Sequence, residues 1–374
     1  MAVPKVLPHT VEQVQALLDS AEVRALIADL QETRWTGRPG YPLRAMVGMA
    51  LVKSLYALPT WTRAARLVAE HKALQDVLGA IPSVYACYRF TAKLLHHAAM
   101  LDACMTRVLA SLQVEMPNIG THVAIDGSDL PAYANGQRYL HNHGPERTRY
   151  SDPDASWGHR SSISTRKGGG YYGYKLHAAI DTHTGLPIAW QVQTARDSEV
   201  PMVPVLLDKL AARGIVPTHA MLDKGYDANT VYDECERRGI RPIVPLRKTG
   251  KVLAGEHKPP TCEHGTWTFA GSDAKRGASK WRCPTDACTP ASTWIKADRL
   301  HTLVPRSTKR WGDLYRERTA VEREFGRLKH EWALLPLRVR RIERVRLHAD
   351  LSILGRLAVA LDVARQGHSA SSVA

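Results

Sequence analysis

The stretch that organises the chain is WGDLYRERTAVEREFGRLKHEW, residues 311–332. Within it, Tyr315, Arg318, Glu322 and Lys329 are separated by three, four and seven residues. Those steps return to one face of an α-helix, so the spacing predicts a polar stripe of phenol, guanidinium, carboxylate and ammonium. Such a stripe is either a solvated face with intrahelical ion pairs or a metal-ligating acid between two phosphate-binding cations.

Composition describes a globular, basic protein. The 374 residues are 44% hydrophobic and 23% charged, which allows two or three modules with their own cores. Lys and Arg number 51 against 36 for Asp and Glu, a formal charge of +15 that favours a polyanionic partner. We expect no membrane span, no signal peptide and no disulfide scaffold from the six cysteines, hence a cytoplasmic protein with reduced thiols.

The N-terminal residues 1–115 read as helical, because apolar residues recur there at helical spacing. Thr60 can cap a short helix, and two short helices around a turn could form a helix-turn-helix that binds DNA. A plain helical bundle explains the same pattern equally well. The stretch from Thr91 to Leu112 predicts one long helix.

From residue 116 the pattern becomes that of an α/β fold. Residues 116–246 predict the order strand, strand, strand, helix, strand, helix, strand, with the first strands antiparallel. Residues 131–170 are polar and Gly-rich and read as a long mobile loop. Residues 247–305 break the pattern as an insertion, 306–365 return to helix, and 366–374 read as a disordered tail.

Two acids upstream of the quoted stretch end predicted strands. Asp126 closes the run HVAID, and Asp223 follows AML. Acids at strand ends are fixed by a rigid sheet and face a crevice. Mg²⁺ prefers a few carboxylates, waters and phosphate oxygens, and two such ions serve an in-line phosphoryl displacement. Together with Glu322, these acids would be sufficient for such a site.

The chain resembles bacterial insertion-sequence transposases of the DDE class. Its quoted stretch matches the Y-(2)-R-(3)-E-(6)-K signature of one branch at every spacing. The sequences DGS at Asp126 and DKGY at Asp223 resemble the first and second acid motifs of that family. GYKLH at 173–177 and GRPGYP at 37–42 are also similar, so the resemblance covers roughly residues 35–360.

The resemblance implies an RNase H-like core, in which an insertion precedes the helix with the catalytic glutamate. It implies DNA cleavage at element ends with Mg²⁺ or Mn²⁺, then strand transfer into target DNA, by a homodimer on DNA in the bacterial nucleoid. The roles carried over are metal ligation by Asp126, Asp223 and Glu322, phosphate contacts by Arg318 and Lys329, and positioning of the DNA end by Tyr315. For Tyr315, a packing role is the alternative.

Two further segments are candidates for binding. The basic run LRVRRIERVR, residues 337–346, predicts a DNA-facing surface that includes Arg338, Arg340 and Arg341. In the insertion, four residues have the spacing of a tetrahedral zinc site, although cysteines in a loop need no metal. These residues are Cys262, His264, Cys283 and Cys288.

Two rival functions stay open at the level of sequence. An RNase H-like nuclease or junction resolvase would cut DNA without joining it, and a transposase-derived protein could bind DNA without catalysis. The signature helix and the N-terminal region favour transposition over the first rival. The presence of all three acids argues against the second.

Overall fold

The computed structural model describes residues 10–33, 40–136, 138–140, 147–160, 167–248, 250 and 254–371. The helices are α1 Val11–Asp19, α2 Ala21–Glu32, α3 Leu43–Leu55, α4 Trp61–Glu70, α5 Lys72–Leu78, α6 Val84–His96, α7 Ala98–Glu115, α8 Met202–Ala212, α9 Asn229–Arg237, α10 Lys309–Arg316, α11 Thr319–Glu331 and α12 Ile342–Ser371. The strands are β1 His122–Pro131, β2 Arg138–Leu140, β3 Arg147–Tyr150, β4 Ser156–Arg160, β5 Gly169–Asp181, β6 Pro187–Thr194, β7 His219–Leu222, β8 Arg241–Ile243, β9 Thr261–Cys262, β10 Gly265–Thr266, β11 Thr268–Asp273, β12 Ala278–Arg282 and β13 Ser292–Lys296.

The central sheet has the order β6-β5-β1-β7-β8, with β4 paired to the N-terminal part of β5. Strands β6, β5 and β1 are antiparallel neighbours, and β1, β7 and β8 run parallel. Three antiparallel strands followed by two parallel ones form an RNase H-like mixed sheet. The predicted α/β fold class is therefore confirmed.

The helices and the sheet share one hydrophobic core. A continuous cluster of buried apolar side chains extends from Val14 in α1, through β1 and β5, to Leu361 in α12. Helix α12 packs against α7, α3 and β6, and so joins the N-terminal helices to the sheet. Burial of each large aliphatic side chain of α12, such as Ile353, contributes about 1.5–3 kcal/mol.

A buried polar contact also connects helix α3 with helix α12. Lys53 Nζ of α3 lies 3.4 Å from His348 Nδ1 of α12, and His348 Nε2 lies 3.2 Å from the carbonyl oxygen of Leu334. Burial lowers the pKa of His348 to about 3 and that of Lys53 to about 8. The imidazole is therefore neutral at pH 7, donating from Nε2 and accepting from the ammonium at Nδ1.

Several expectations for local structure are wrong. The helix expected over 91–112 is interrupted at His97, whose ψ of 39° is not helical, and no Gly or Pro announces the break. The loop expected over 131–170 contains strands β2, β3 and β4. Strand β2 pairs with β3, and β4 pairs with β5, and this pairing compensates for weak strand propensity. Residues 141–146 and 161–166 of that segment, with the histidines at 141 and 143, lie outside the described residues.

The tail also differs from expectation. Helix α12 continues to Ser371, so disorder is wrong for 366–371, while 372–374 lie outside the described residues. Extending an established helix by a few residues costs far less than starting one, and Gln366 Nε2 donates to Asp362 Oδ2 at 3.0 Å. In the part of the chain that the structure describes, no helix is long and apolar enough to cross a membrane.

The insertion is closed at its base by Asp227, whose side chain is fully buried. Its Oδ2 accepts from the backbone N–H of Arg247, where the chain enters the insertion, at 2.8 Å. The same oxygen accepts from Arg299 Nη1, where the chain leaves, at 2.6 Å. Between these points the described residues form the hairpin β9–β10 and the three-stranded sheet β11-β12-β13.

Candidate active site

The first two acids lie side by side where the pairing of β1 with β7 ends. Strands β1 and β7 are parallel, about 4.8 Å apart, and Ile125 lies opposite Leu222. The next residues are Asp126 and Asp223. Asp223 follows β7 directly, but Asp126 lies in the middle of β1, which continues to Pro131. The expectation that Asp126 ends its strand is therefore wrong, because antiparallel pairing with β5 continues past it. Local backbone fixes each carboxylate: Asp126 Oδ1 accepts from Gly127 N at 2.8 Å, and Asp223 Oδ1 accepts from Gly225 N at 2.5 Å.

Position 225 suits glycine because the backbone of residue 225 lies very close to the Asp223 carboxylate. A Cβ atom at position 225 would lie 2.6 Å from Asp223 Oδ1, which is closer than real Cβ contacts come. The chain forms a short 3₁₀ turn here, Lys224–Tyr226. In this turn the backbone N–H of Gly225 points to the Asp223 carboxylate. The second acid motif is thus explained by the backbone geometry that holds Asp223.

Negative charge accumulates where the two acids meet. Burial, with smaller contributions from the charges of Asp223 and Glu199, raises the pKa of Asp126 to about 7, although the Gly127 N–H and Arg318 act in the opposite direction. Burial also raises the pKa of Tyr226, as do the charges of Asp126, Glu199 and Asp223. Within the described ranges, the buried Tyr226 hydroxyl has no hydrogen-bond partner. Two carboxylates and a buried phenol are thus held close together at this point.

The expected single helix over 311–332 is two helices, with the break at Glu317 and Arg318. Glu322 lies in the first turn of α11, and its side chain is 56% exposed. Arg318 Nη1 donates to Asp126 Oδ2 at 3.0 Å, and its Nη2 contacts the Glu322 carboxylate. The guanidinium therefore bridges the first and third acids.

The three acids do not form a tight ligand cluster by themselves. Within the described residues, one group of three or more His, Cys, Asp or Glu ligand atoms lies close together, and it is the Cys/His group of the insertion. The reason is local: Arg318 approaches Asp126 from the helix break and occupies the space between it and Glu322.

Lys329 contacts an acid that the sequence did not single out. Its Nζ lies 3.6 Å from Asp129 Oδ1, and Arg160 Nη2 lies 3.1 Å from Asp129 Oδ2. Asp129 is on β1, three residues after Asp126. Both signature cations, Arg318 and Lys329, thus contact carboxylates of β1.

A second cluster that the sequence only partly indicated surrounds Gly127. Lys175 Nζ donates to Glu199 Oε1 at 2.8 Å. A Cβ at position 127 would lie 3.2 Å from both Glu199 Oε1 and His177 Nδ1, so glycine leaves room for this cluster. Burial lowers the pKa of His177 to about 3. The resemblance of GYKLH at 173–177 indicated the segment with Lys175 and His177, but Glu199 lies between β6 and α8, outside every motif that the sequence suggested.

Comparison with known protein families gives two matches. Residues 117–356 match the family described as the transposase DDE domain, and residues 3–90 match the transposase domain DUF772. The chain belongs to the DDE transposases. A search of curated proteins found no match.

Among solved structures, the transposase chain is similar to one from a cryo-EM structure of a piggyBac transposase synaptic complex with hairpin DNA. The sequence identity is 11% and the TM-score is 0.40. The likeness covers 97% of this chain and 77% of the other.

Tyr315 of the transposase is part of a small packed cluster. Its ring stacks on Trp311 with centroids 5.0 Å apart and planes 14° apart, and Arg318 lies 5.9 Å from its centroid. Both aromatic rings pack against a buried group that joins α10 to β7 and β8, formed by Met221, Ile243, Val304 and Leu314. Packing therefore accounts for Tyr315 in the transposase without DNA.

The basic segment of the transposase is exposed and surrounds an aromatic ring. The guanidinium carbons of Arg338 and Arg340 lie 5.2 and 5.1 Å from the ring centroid of Tyr133, which is 45% exposed. Arg341 is held differently, since its backbone N–H donates to Asp152 Oδ1 at 3.1 Å and its Nη1 lies 3.4 Å from Asp154 Oδ1. Two of the three predicted arginines thus form a surface with Tyr133.

Proposed function

We propose that this transposase cleaves DNA at the ends of an insertion sequence, with Mg²⁺ or Mn²⁺, and joins the freed 3′-OH to target DNA. Family membership itself makes the chain a transposase with DNA as its partner. The observation that carries the finer proposal is the pair Asp126 and Asp223, side by side where the parallel pairing of β1 with β7 ends. Glu322 is joined to this pair through Arg318.

The residues fit a hard divalent cation. Their ligand atoms are carboxylate oxygens, which Mg²⁺ and Mn²⁺ prefer. Burial and the nearby Asp223 raise the pKa of Asp126, so a cation would relieve charge that the protein leaves uncompensated. Asp126, Asp223 and Glu322 would hold the metal. When bound, it would stabilise the charge that develops on the oxygens of the attacked phosphodiester.

Arg318 has a second role in this proposal. Its guanidinium donates its hydrogen bonds to Asp126 and Glu322 in the protein without DNA. A planar guanidinium binds phosphate as well as it binds carboxylate, so DNA can take it from these acids. Arrival of the DNA backbone would then release both carboxylates for metal and place a fixed positive charge on the reacting strand.

Lys329 is suited to the same exchange. Its Nζ is 3.6 Å from Asp129 Oδ1, beyond the ordinary range of a hydrogen bond. A phosphate oxygen can replace the Asp129 carboxylate as a partner of this ammonium. We therefore assign Lys329 to the DNA backbone, with Asp129 as its partner in the protein without DNA.

Outside the acid centre, Tyr133, Arg338 and Arg340 form the proposed DNA surface. An aromatic ring between two guanidinium groups offers both charge and a stacking face. Each of Arg338→Ala and Arg340→Ala should weaken binding to any DNA sequence and reduce the salt slope by about one. Arg341→Ala should have a smaller effect, because Asp154 already neutralises its charge.

The deciding experiment measures cleavage and joining of labelled DNA that carries the element's own ends, with Mg²⁺. Wild type is compared with Glu322→Gln and with Glu331→Gln, which removes an exposed carboxylate of the same helix. Joined strands from wild type and Glu331→Gln, but not from Glu322→Gln, support the proposal. Cutting without joining would indicate a nuclease, and salt-sensitive binding without products would indicate a non-catalytic DNA-binding protein.

We also propose that the active form is a homodimer on DNA at the bacterial nucleoid. Cutting and joining require two element ends to be held together, which one copy per end would achieve. Light scattering should give a monomer mass, or a weak dimer, without DNA and two chains per complex with paired ends. One chain per complex under conditions of full cleavage would contradict the dimer.

A further inference from the structure

We propose that the insertion holds one structural zinc ion, bound by Cys262, His264, Cys283 and Cys288. Their ligand atoms, three Sγ and one imidazole nitrogen, all lie within 4.8 Å of one another. These residues are separated by up to 26 positions in sequence, so only folding of the insertion brings them together. The site is independent of the acid centre and of the DNA chemistry proposed there.

Three of the six distances between ligand atoms are close to those of a tetrahedron around zinc, and the other three are at most 4.8 Å. Zn–S bonds of about 2.3 Å and Zn–N bonds of about 2.0–2.1 Å place ligands roughly 3.8 Å (S–S) and roughly 3.6 Å (S–N) apart. Cys262 Sγ lies 3.8 Å from Cys283 Sγ. His264 Nδ1 lies 3.5 Å from Cys288 Sγ and 3.9 Å from Cys262 Sγ.

A disulfide does not explain this geometry. A bonded sulfur pair is about 2.05 Å apart, whereas Cys262 and Cys283 are separated by 3.8 Å and both are free thiols. Ordinary core packing does not explain it either, because four polar ligand atoms converge on one point between the strands. Convergence of this kind brings lone pairs together, which a cation stabilises.

The identity of the metal follows from the ligand set. Three thiolates and one imidazole are soft and borderline ligands that select zinc over Mg²⁺ or Ca²⁺. All four tetrahedral positions are filled by the protein, which leaves none for water or substrate. A filled site of this kind supports structure and does not take part in the phosphoryl chemistry.

The ligands come from separate pieces of the insertion. Cys262 and His264 lie at the β9–β10 hairpin, and Cys283 follows β12 directly. Cys288 lies in the turn between β12 and β13, where the Cys283 N–H donates to the Ala291 carbonyl oxygen at 2.9 Å. One ion would therefore tie the hairpin to the three-stranded sheet.

The insertion has little else to hold these pieces together. In its described residues, the buried apolar side chains are Ala278, Trp281, Cys283 and Val304, and Val304 packs against the sheet and α10 instead of the insertion's own strands. The Phe269 ring lies edge-on to Trp281, with ring centroids 5.8 Å apart. A core this small does not stabilise an independent unit, and small natural units with such cores use a metal or disulfides instead. The surrounding strands thus depend on the four ligands.

The test is the metal content of the full-length protein, purified without added metal or chelator and measured by plasma mass spectrometry. We expect about one zinc per chain for wild type and for Asp126→Asn. Cys283→Ser and His264→Ala should lose it. His264→Cys, which restores a four-ligand set, should keep it, and His257→Ala and Cys87→Ala serve as matched controls outside the site.

Cobalt provides a second readout that does not depend on purification history. Protein freed of metal under reducing conditions should bind about one Co²⁺ and show thiolate charge-transfer bands and tetrahedral d–d bands. Wild type without zinc and without these bands would overturn the proposal, as would zinc retained by Cys283→Ser and His264→Ala. If the serine variant fails to fold, the contrast between His264→Ala and His264→Cys still decides the question.

Discussion

The acid centre and the Cys/His cluster both offer metal ligands, but they are held in different ways. In the insertion, the ligand atoms contact each other directly at tetrahedral spacing. At the sheet, Arg318 lies between Asp126 and Glu322, and Lys329 lies against Asp129. The first set is arranged for one permanent ion. The second is balanced by the protein's own cations, which a phosphodiester can displace.

The difference suggests that stability and turnover are assigned to different sites. A permanent ion needs ligands that do not exchange, and the cysteines provide them. A reacting site needs ligands that become available together with the substrate. In the mechanism we propose, the bridge by Arg318 would couple these two events, because the DNA phosphates that bind the guanidinium would also free the carboxylates.

The largest expected effect is on catalysis. Asp223→Asn should lower the rate of DNA cleavage about 10³-fold, since it removes a metal ligand and several kcal/mol of transition-state stabilisation. Its zinc content and DNA affinity should stay at the wild-type level. Cleavage within about tenfold of wild type would show that Asp223 is not a ligand, and loss of zinc would mean that the two sites are not independent.

Next in size is an effect confined to the insertion. Cys283→Ser should raise the rate of proteolytic cutting within 261–296 at least about tenfold, because local opening becomes frequent without the ion. Fragments are identified by mass spectrometry, with Asp223→Asn as the control that should cut like wild type. Equal resistance of the serine variant would show that the metal does not hold the strands.

Replacing Arg318, which bridges Asp126 and Glu322, should change the affinity for Mg²⁺ measured in the absence of DNA. Arg318→Ala should bind Mg²⁺ about tenfold more tightly in calorimetry, because a competing positive charge next to Asp126 and Glu322 is gone. Cleavage should nevertheless fall, as the phosphate contact is lost. Arg318→Lys keeps the charge and should stay within about threefold of wild type. Weaker Mg²⁺ binding by the alanine variant would mean that Arg318 positions Glu322 instead.

The smallest effect concerns Tyr226. Among the described residues its buried hydroxyl has no partner, so Tyr226→Phe should leave the free energy of unfolding unchanged or raise it by up to about 1 kcal/mol. Denaturant unfolding measures this directly, with Tyr232→Phe as a control that loses hydrogen bonds to Asp227 and Arg306 and should be destabilised. A lower free energy of unfolding for Tyr226→Phe would reveal a partner for the hydroxyl, such as ordered water.

The sequence alone predicted those features that depend on residues only a few positions apart. The predicted order of strands and helices and the acid motifs at Asp126 and Asp223 identified the sheet and the two acids that lie side by side on it. The spacing of Arg318 and Glu322 identified their contact, because four residues separate them on a helix. These signals all operate over a few residues.

Sequence failed where tertiary structure decides. The contact of Arg318 with Asp126 spans 192 positions, and Glu199 reaches the centre from a loop without any pattern. No residue type indicated the helix break at Glu317. Strand β4 depends on β5 for its pairing, and β2 and β3 depend on each other. The Cys/His spacing suggested a metal site, but only the folded distances gave the tetrahedron.

The closure at Asp227 has a consequence for how this protein can change over evolution. Because Arg247 and Arg299 meet on one carboxylate, the two ends of the insertion are adjacent whatever lies between them. Lengthening or shortening the intervening chain then alters mainly loop entropy, by roughly 0.6 kcal/mol for each doubling. The insertion is therefore a replaceable module, and relatives can acquire or lose a metal-binding unit there while the spacing of Asp126 and Asp223 is preserved.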